Sequence, residues 1–328
     1  MPPQIAAFGF RLTAVIGAAL VLQFFSEFYF LNEGPAANAA RGWAAGPDLL
    51  ISISVYGFFA YLFLILLDRF AVHSLAGLLL AGSVFGWATE ALVVPVAHEA
   101  PPVSWLWPSI GWHALVDVIG GWFLLRLAMR RLAWPWLALL FTVGGIAWGF
   151  WATWTWGAAD EAPVVFTVAE FWTIVLVAGA TWIVGTALAD IGARRPFRAS
   201  RWETGGVALA TLALFLGTGL AFLPWSAGLG AMIGASLGAL ALARRAPPGR
   251  PNILAPLQER PPLRAYAVMP LLPLAAGATY PFVLEAGLAV PSGEIVAWLF
   301  LLGTLGFVWA LLRSALDARA KHGEQQAP

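Results

Sequence analysis

The sequence predicts an all-α, polytopic integral membrane protein, a bundle of about ten transmembrane helices. Hydrophobic residues make up 60% of the 328 residues, only 11% are charged, and the mean hydropathy is +0.80. Apolar stretches of roughly 20 residues, the length that crosses a ~30 Å hydrocarbon core, recur along the whole chain. Because soluble domains do not show this composition, we expect the lipid bilayer to surround most of the chain.

The expected spans follow directly from these apolar stretches. The first lacks a clear cleavage site, so we interpret it as a span and not as a signal peptide. The eighth reads SAGLGAMIGASLGALALA, and its small residues favour close helix packing over contact with lipid. We place the ten spans at residues 8–31, 48–67, 71–97, 107–129, 133–156, 163–190, 204–223, 225–243, 265–286 and 294–316.

The distribution of arginine predicts the orientation. Basic residues concentrate at every second junction between spans, and the intervening connections carry only Arg41. By the positive-inside rule both termini are cytoplasmic, which requires an even number of spans. We therefore expect an N-in, C-in protein of the cytoplasmic membrane, most simply a bacterial one. Net charge is only +1, so nothing points to a nucleic-acid partner.

Composition divides the chain into four regions. Residues 1–203 form a six-helix unit that contains the candidate polar site, and residues 204–243 add two Gly/Ala-rich spans. Residues 244–264, RRAPPGRPNILAPLQERPPLR, read as a cytoplasmic Pro/Arg-rich linker. Residues 265–328 contain two further spans and a short tail; Pro273 and Pro281 with Gly277 could break the first of these.

Five ionisable residues lie inside apolar runs, where a charge is costly and usually has a function. With the N-terminus inside, all five fall roughly 6 to 15 Å from the outer ends of their spans. His113 and Asp117 are four residues apart, so in a helix they share a face. Asp117 can therefore orient the His113 imidazole, as carboxylates do for histidines that act as general bases or metal ligands. The five residues are Glu27, Glu90, His113, Asp117 and Glu170.

We assign roles to these residues as hypotheses. Glu90, His113, Asp117 and Glu170 are the candidate catalytic residues, and the same four are candidate ligands of a divalent metal, because carboxylates with one imidazole suit Mn, Fe or Zn. Glu27 is a candidate substrate-binding residue. The deeper tryptophans could wall an apolar pocket or bind a cation through their π faces; those assigned to substrate binding are Trp87, Trp112 and Trp172.

Three functions fit these features, and several others do not. Absent are cysteine, a second intramembrane histidine for haem, and the Walker A, HExxH, GxSxG and Rossmann motifs. The first hypothesis is a membrane-embedded enzyme, open to the outer side, that acts on a lipid or other hydrophobic substrate. The second is a proton- or cation-coupled secondary transporter that uses the same carboxylates. The third is a non-catalytic subunit of a membrane complex that binds a pigment, quinone or partner helix.

Overall fold

The computed structural model describes residues 3–31, 33–157, 163–244 and 252–326. Within these ranges all regular secondary structure is helical, and ten helices are long and apolar enough to cross a membrane. They are α1 (Phe8–Tyr29), α2 (Gly46–Arg69), α3 (Leu75–Leu92), α4 (Val103–Arg131), α5 (Trp134–Trp156), α6 (Val168–Gly192), α7 (Arg201–Phe222), α8 (Trp225–Ala243), α9 (Leu263–Ala286) and α10 (Ser292–Asp317).

These ten helices confirm the predicted fold class and the number of spans. Each overlaps its predicted range, and the largest differences are at α3 and α6, which are shorter at the ends predicted to face outward. The orientation in the membrane stays a prediction. Of the predicted linker, residues 245–251 lie outside the described residues, and Ala255–Gln258 forms a 3₁₀ turn.

The chain groups into two units, of which the first comprises residues 1–57, 121–195 and 256–297. Its helices α1 and α6 approach closely, because Gly17 of α1 faces the backbone of Ala189 without a side chain between them. Gly145 of α5 lies in the same way against the Leu272 carbonyl of α9. Glycine at these positions removes the Cβ that would hold the backbones apart.

Helix α9 of the first unit is interrupted. One helical segment ends at Val268 and the next begins at Leu271, with Pro270 between them. Pro273 and Gly277 do not mark this break; they pack against Gly179 and the Trp172 ring of α6. The interruption therefore lies nearer the beginning of the helix than the sequence suggested.

The second unit comprises residues 58–120, 196–255 and 298–328, and α3 is its central helix. Nearly all residues of α3 are buried, and Ser74 caps its N-terminus by accepting a hydrogen bond from Gly77 N. In contrast, only 6% of the most apolar stretch of α7 is buried. Within this unit α3 contacts α4, α7, α8 and α10, and it carries one of the candidate site residues, Glu90.

Candidate functional site

Three of the five predicted ionisable residues meet in the second unit. The His113 ring lies between two carboxylates: Nδ1 is 2.7 Å from Asp117 Oδ2, and Nε2 is 2.6 Å from Glu90 Oε1. Side-chain exposure rises along this series, from 0% for Asp117 to 5% for His113 and 16% for Glu90. We call Glu90, His113 and Asp117 the triad.

Two glycines of α3 bring Glu90 to the histidine. A Cβ at Gly86 would collide with the carbonyl oxygen of Ser109 in α4, and one at Gly82 would lie 3.2 Å from the Val118 Cβ. Glu90 follows Gly86 by four residues, so it lies on the same face of α3. The segment GSVFG, residues 82–86, is a small-xxx-small pattern of the kind that lets membrane helices approach. This pattern is visible in the sequence, but it was not used to predict which spans are neighbours.

The other two triad residues belong to a π-helical segment of α4, Ser109–Leu124. Pro108 O accepts hydrogen bonds from both Trp112 N and His113 N, which begins the wider turn. Gly111 in this segment lies against Gly303 of α10. A Cβ added at Gly303 would lie only 2.9–3.0 Å from the Cα and N atoms of Gly111. Because π-helical turns occur frequently at functional sites, this conformation supports a role for the triad beyond packing.

The hydrogen bonds restrict where protons are held in the triad. An imidazole ring donates from both nitrogens only when it carries two protons, so two ionised carboxylates at 2.6 and 2.7 Å require an imidazolium between them. Such charge-assisted bonds are short, as these are. With that single added proton the triad carries a formal charge of −1, and one more proton makes it neutral. The arrangement can therefore accept or release a proton with a full change of charge.

Glu27 belongs to the first unit and has its own partners. It lies in a π-helical segment, Phe24–Tyr29, as His113 and Asp117 do. The Tyr56 hydroxyl donates to Glu27 Oε1 at 2.6 Å and lies 2.5 Å from Ser26 Oγ. Tyr56 was not among the predicted site residues, because nothing in the sequence of α2 connects it with Glu27.

Glu170 also belongs to the first unit, and it lies in the first turn of its helix, whereas the predicted span began at residue 163. Helix α6 begins at Val168, and Glu170 occupies its first turn, where the side chain is exposed. Its Oε2 accepts from Thr167 N at 2.7 Å and from Thr167 Oγ1 at 2.8 Å, while Thr167 Oγ1 accepts from Glu170 N. This is a capping box at the N-terminus of the helix, so the helix begins at Val168 and residues 163–167 of the predicted span precede it.

The three tryptophans assigned to substrate binding lie in different surroundings. Trp87 is buried in α3 and donates through Nε1 to Trp105 O at 2.8 Å. Trp112 is buried and lies edge-on to Trp107, with ring centroids 6.2 Å apart. Trp172 belongs to the first unit and packs against Gly277. Trp87 lines an apolar cavity in the second unit.

The proposed metal site finds no support in the described part of the chain. No group of three or more His, Asp and Glu residues there is arranged to hold a metal ion. At the triad the reason is the hydrogen bonding, because both ring nitrogens of His113 already face carboxylate oxygens and neither presents a lone pair to a shared centre. Glu170 caps a helix of the other unit.

A second buried charge cluster lies in the first unit and was not assigned a function from the sequence. Arg126 Nε and Nη2 donate to Asp190 Oδ1 at 2.9 and 2.7 Å, and Arg130 Nη2 donates to the same oxygen at 2.8 Å. The Tyr266 hydroxyl donates to Asp190 Oδ2 at 2.7 Å. Arg130 also donates to the backbone carbonyls of Leu257 and Glu259, which belong to the predicted linker. These contacts satisfy the buried charges and fix the loop, which is a structural role.

His98 is a further buried histidine, in the connection between α3 and α4. Its ring stacks on Phe222, with centroids 5.0 Å apart, and is 3% exposed. Burial lowers the pKa of the His98 imidazole, because the charged form loses its hydration. His98 is therefore held in its neutral form over a wider pH range than a solvent-exposed histidine.

Comparison with known proteins adds no family to this description. The sequence matches no protein-family model, and neither a curated protein nor a solved structure is significantly similar to it.

Proposed function

We propose that the chain is a proton-coupled membrane transporter and that the triad is its proton-binding site. One observation carries the proposal: a continuous series of hydrogen bonds runs from the partly exposed Glu90 through His113 to the fully buried Asp117. Titratable chains of this kind inside a membrane mark proton pathways. Glu90 is the member that exchanges protons with the surroundings, because the other two side chains are almost completely covered.

The rest of the triad keeps Glu90 able to exchange. Asp117 fixes the orientation of the His113 ring through Nδ1, so Nε2 faces Glu90. The three triad side chains are connected by two hydrogen bonds, and binding of one proton changes their total charge by one unit. A charged carboxylate is less stable in a low-dielectric region than in water, so its protonation changes the relative free energies of conformations in which Glu90 is buried or exposed. Proton binding is thereby coupled to conformational change.

The membrane-embedded enzyme remains a second candidate because Asp117 orients His113 as a carboxylate orients a general base. The Nε2 atom that would take a proton from a substrate faces Glu90 instead. Acid–base chemistry would therefore proceed through the Glu90 carboxylate, with His113 and Asp117 as positioning residues. The substrate of such an enzyme would be a lipid or another hydrophobic molecule.

Infrared spectroscopy tests proton exchange without knowledge of the substrate. In pH-difference spectra of the protein in lipid nanodiscs we expect a protonated-carboxyl C=O band that is lost in Glu90→Gln and shifted in Asp117→Asn. Glu99→Gln is the matched control, because Glu99 is exposed in a connection. An identical carboxyl band in wild type and Glu90→Gln would show that the triad is a fixed ion cluster and would refute the proposal.

A second measurement separates transport from enzymatic chemistry. Transport requires access to Glu90 from both sides of the membrane in turn. In proteoliposomes of uniform orientation, a pH jump on either side should give a charge displacement that is absent in Glu90→Gln and kept in Glu99→Gln. A signal from one side alone would support the enzyme and contradict the transporter.

A further inference from the structure

The second unit contains an apolar cavity of about 640 Å³ between α2, α3, α7 and α8. Its walls are formed by residues such as Leu66 of α2, Trp87 of α3, Leu212 of α7 and Ile233 of α8. The volume is in the range of ligand-binding pockets. Since the walls offer few polar groups, the occupant must be largely apolar.

Helix α7 lines this cavity and is little covered by the rest of the protein. Only 6% of its most apolar stretch is buried, against 89% for α3, which also lines the cavity. Lining residues run from Thr204 to Phe215 along α7, about 16 Å of helix and so about half of a ~30 Å hydrocarbon core. Half of the hydrocarbon core is the length of one acyl chain of one leaflet. Because apolar surfaces inside a membrane are covered by lipid and not by water, an acyl chain suits this space.

The polar lining residues cluster at one end of the cavity. Arg69 at the end of α2, Thr204 in the first turn of α7 and Arg244 after α8 all lie there. Arg69 is held in place, because it donates to Thr204 Oγ1 at 2.7 and 2.9 Å and to Ala199 O at 2.8 Å. The neighbouring Asp68 does not pair with Arg69; it accepts from Arg198 Nη1 at 2.8 Å.

The charge at this end therefore favours an anion. Among the described residues no carboxylate forms an ion pair with either Arg69 or Arg244, although both border the same cavity. Guanidinium groups at the end of an apolar channel suit a phosphate group attached to a hydrocarbon chain. The predicted orientation places this end at the cytoplasmic leaflet, where anionic lipids attract basic residues.

We propose that this cavity binds an anionic phospholipid, with one acyl chain along α7 and the phosphate at Arg69 and Arg244. The acyl chain occupies the cavity along the part of α7 from Thr204 to Phe215. This site is separate from the triad, and the inference does not depend on the transporter proposal.

Native mass spectrometry of the detergent-solubilised full-length protein tests the inference. On titration with phosphatidylglycerol or phosphatidylcholine of the same acyl chains, we expect one phosphatidylglycerol to bind more tightly than phosphatidylcholine. Ala208→Trp, which fills the cavity from α7, should abolish this binding. Arg244→Gln should weaken phosphatidylglycerol binding about fivefold, the effect of one basic residue near an anionic lipid.

Controls keep the result interpretable. Arg131→Gln removes an exposed arginine that pairs with Glu259 in the other unit, and it should bind both lipids as wild type does. If Ala208→Trp does not fold, Arg244→Gln decides the question alone, because Arg244 is exposed. Equal affinity for the two lipids in wild type, or wild-type phosphatidylglycerol affinity in Arg244→Gln, would overturn the proposal. Retention of the lipid by folded Ala208→Trp would also overturn it.

Discussion

The contact between Gly86 and α4 predicts that a single methyl group disrupts the triad. In Gly86→Ala the new Cβ would collide with Ser109 O and lie 3.0 Å from the His113 Cβ. Carbon atoms in contact are normally about 3.5–4.0 Å apart. Both obstacles are close to the backbone and cannot rotate away, so α3 has to move away from α4 by about 1 Å.

This displacement is large relative to the hydrogen bond it affects. Glu90 Oε1 and His113 Nε2 are 2.6 Å apart, and a further ~1 Å exceeds the ~3.2 Å limit of a good N–H···O bond. We therefore expect loss of the Glu90–His113 bond, while the bond between His113 and Asp117 within α4 persists. The forced contact should also lower the free energy of unfolding by about 1–3 kcal/mol, the usual cost of overpacking.

Two measurements check this prediction. The pH-difference infrared spectrum should lose or shift the Glu90 carboxyl band in Gly86→Ala, and thermal unfolding in nanodiscs should begin at a lower temperature. Gly234→Ala in α8 is the matched control, because its added Cβ has no atom within 4 Å; it should leave the spectrum unchanged and the protein as stable or up to ~1 kcal/mol more stable. An unchanged spectrum and melting temperature in Gly86→Ala would refute the packing argument.

Three other substitutions probe separate features. Asp190→Asn leaves the buried Arg126 charge without its carboxylate and should lower the free energy of unfolding by about 3–5 kcal/mol. In the same unfolding assay the control Glu259→Gln, which removes an exposed ion pair, should lower it by less than ~1 kcal/mol. Equal losses in the two variants would contradict this prediction. Because burial lowers the pKa of His98, its contribution to stability is intact above about pH 6.5 and falls as the pH drops below that value. His98→Phe should therefore flatten the decline of melting temperature between about pH 7 and pH 5; the wild-type slope in the variant would argue against it. Glu170→Gln weakens only a helix cap, so it should leave the triad's infrared bands unchanged, and their loss would return Glu170 to the site.

The membrane spans were predictable because their signal is local. Each span consists of consecutive apolar residues, and every one of the ten predicted ranges overlaps an observed helix. One error occurs where a side-chain cap decides the end of the helix, as Thr167 and Glu170 do in α6. A capping box depends on the conformation of four residues, which hydropathy does not register.

The candidate site was predictable only in part. The four-residue spacing of His113 and Asp117 predicted their contact, because both residues belong to one helix. The partnership with Glu90 depends on two helices approaching at Gly82 and Gly86, and a common depth in the membrane does not specify which spans are neighbours. Depth therefore grouped Glu27 and Glu170 with the triad, although the structure gives them other partners in the first unit.

The sequence by itself determined that this protein is a ten-span helical membrane protein with costly titratable groups inside the spans, because hydropathy and charge are properties of each segment alone. Only the tertiary structure decided which of those groups lie within hydrogen-bond distance of one another. That choice depends on contacts of a few ångströms between helices distant in sequence. In the second unit they are set by glycines in α3, a π-helical turn in α4 and a second glycine contact with α10.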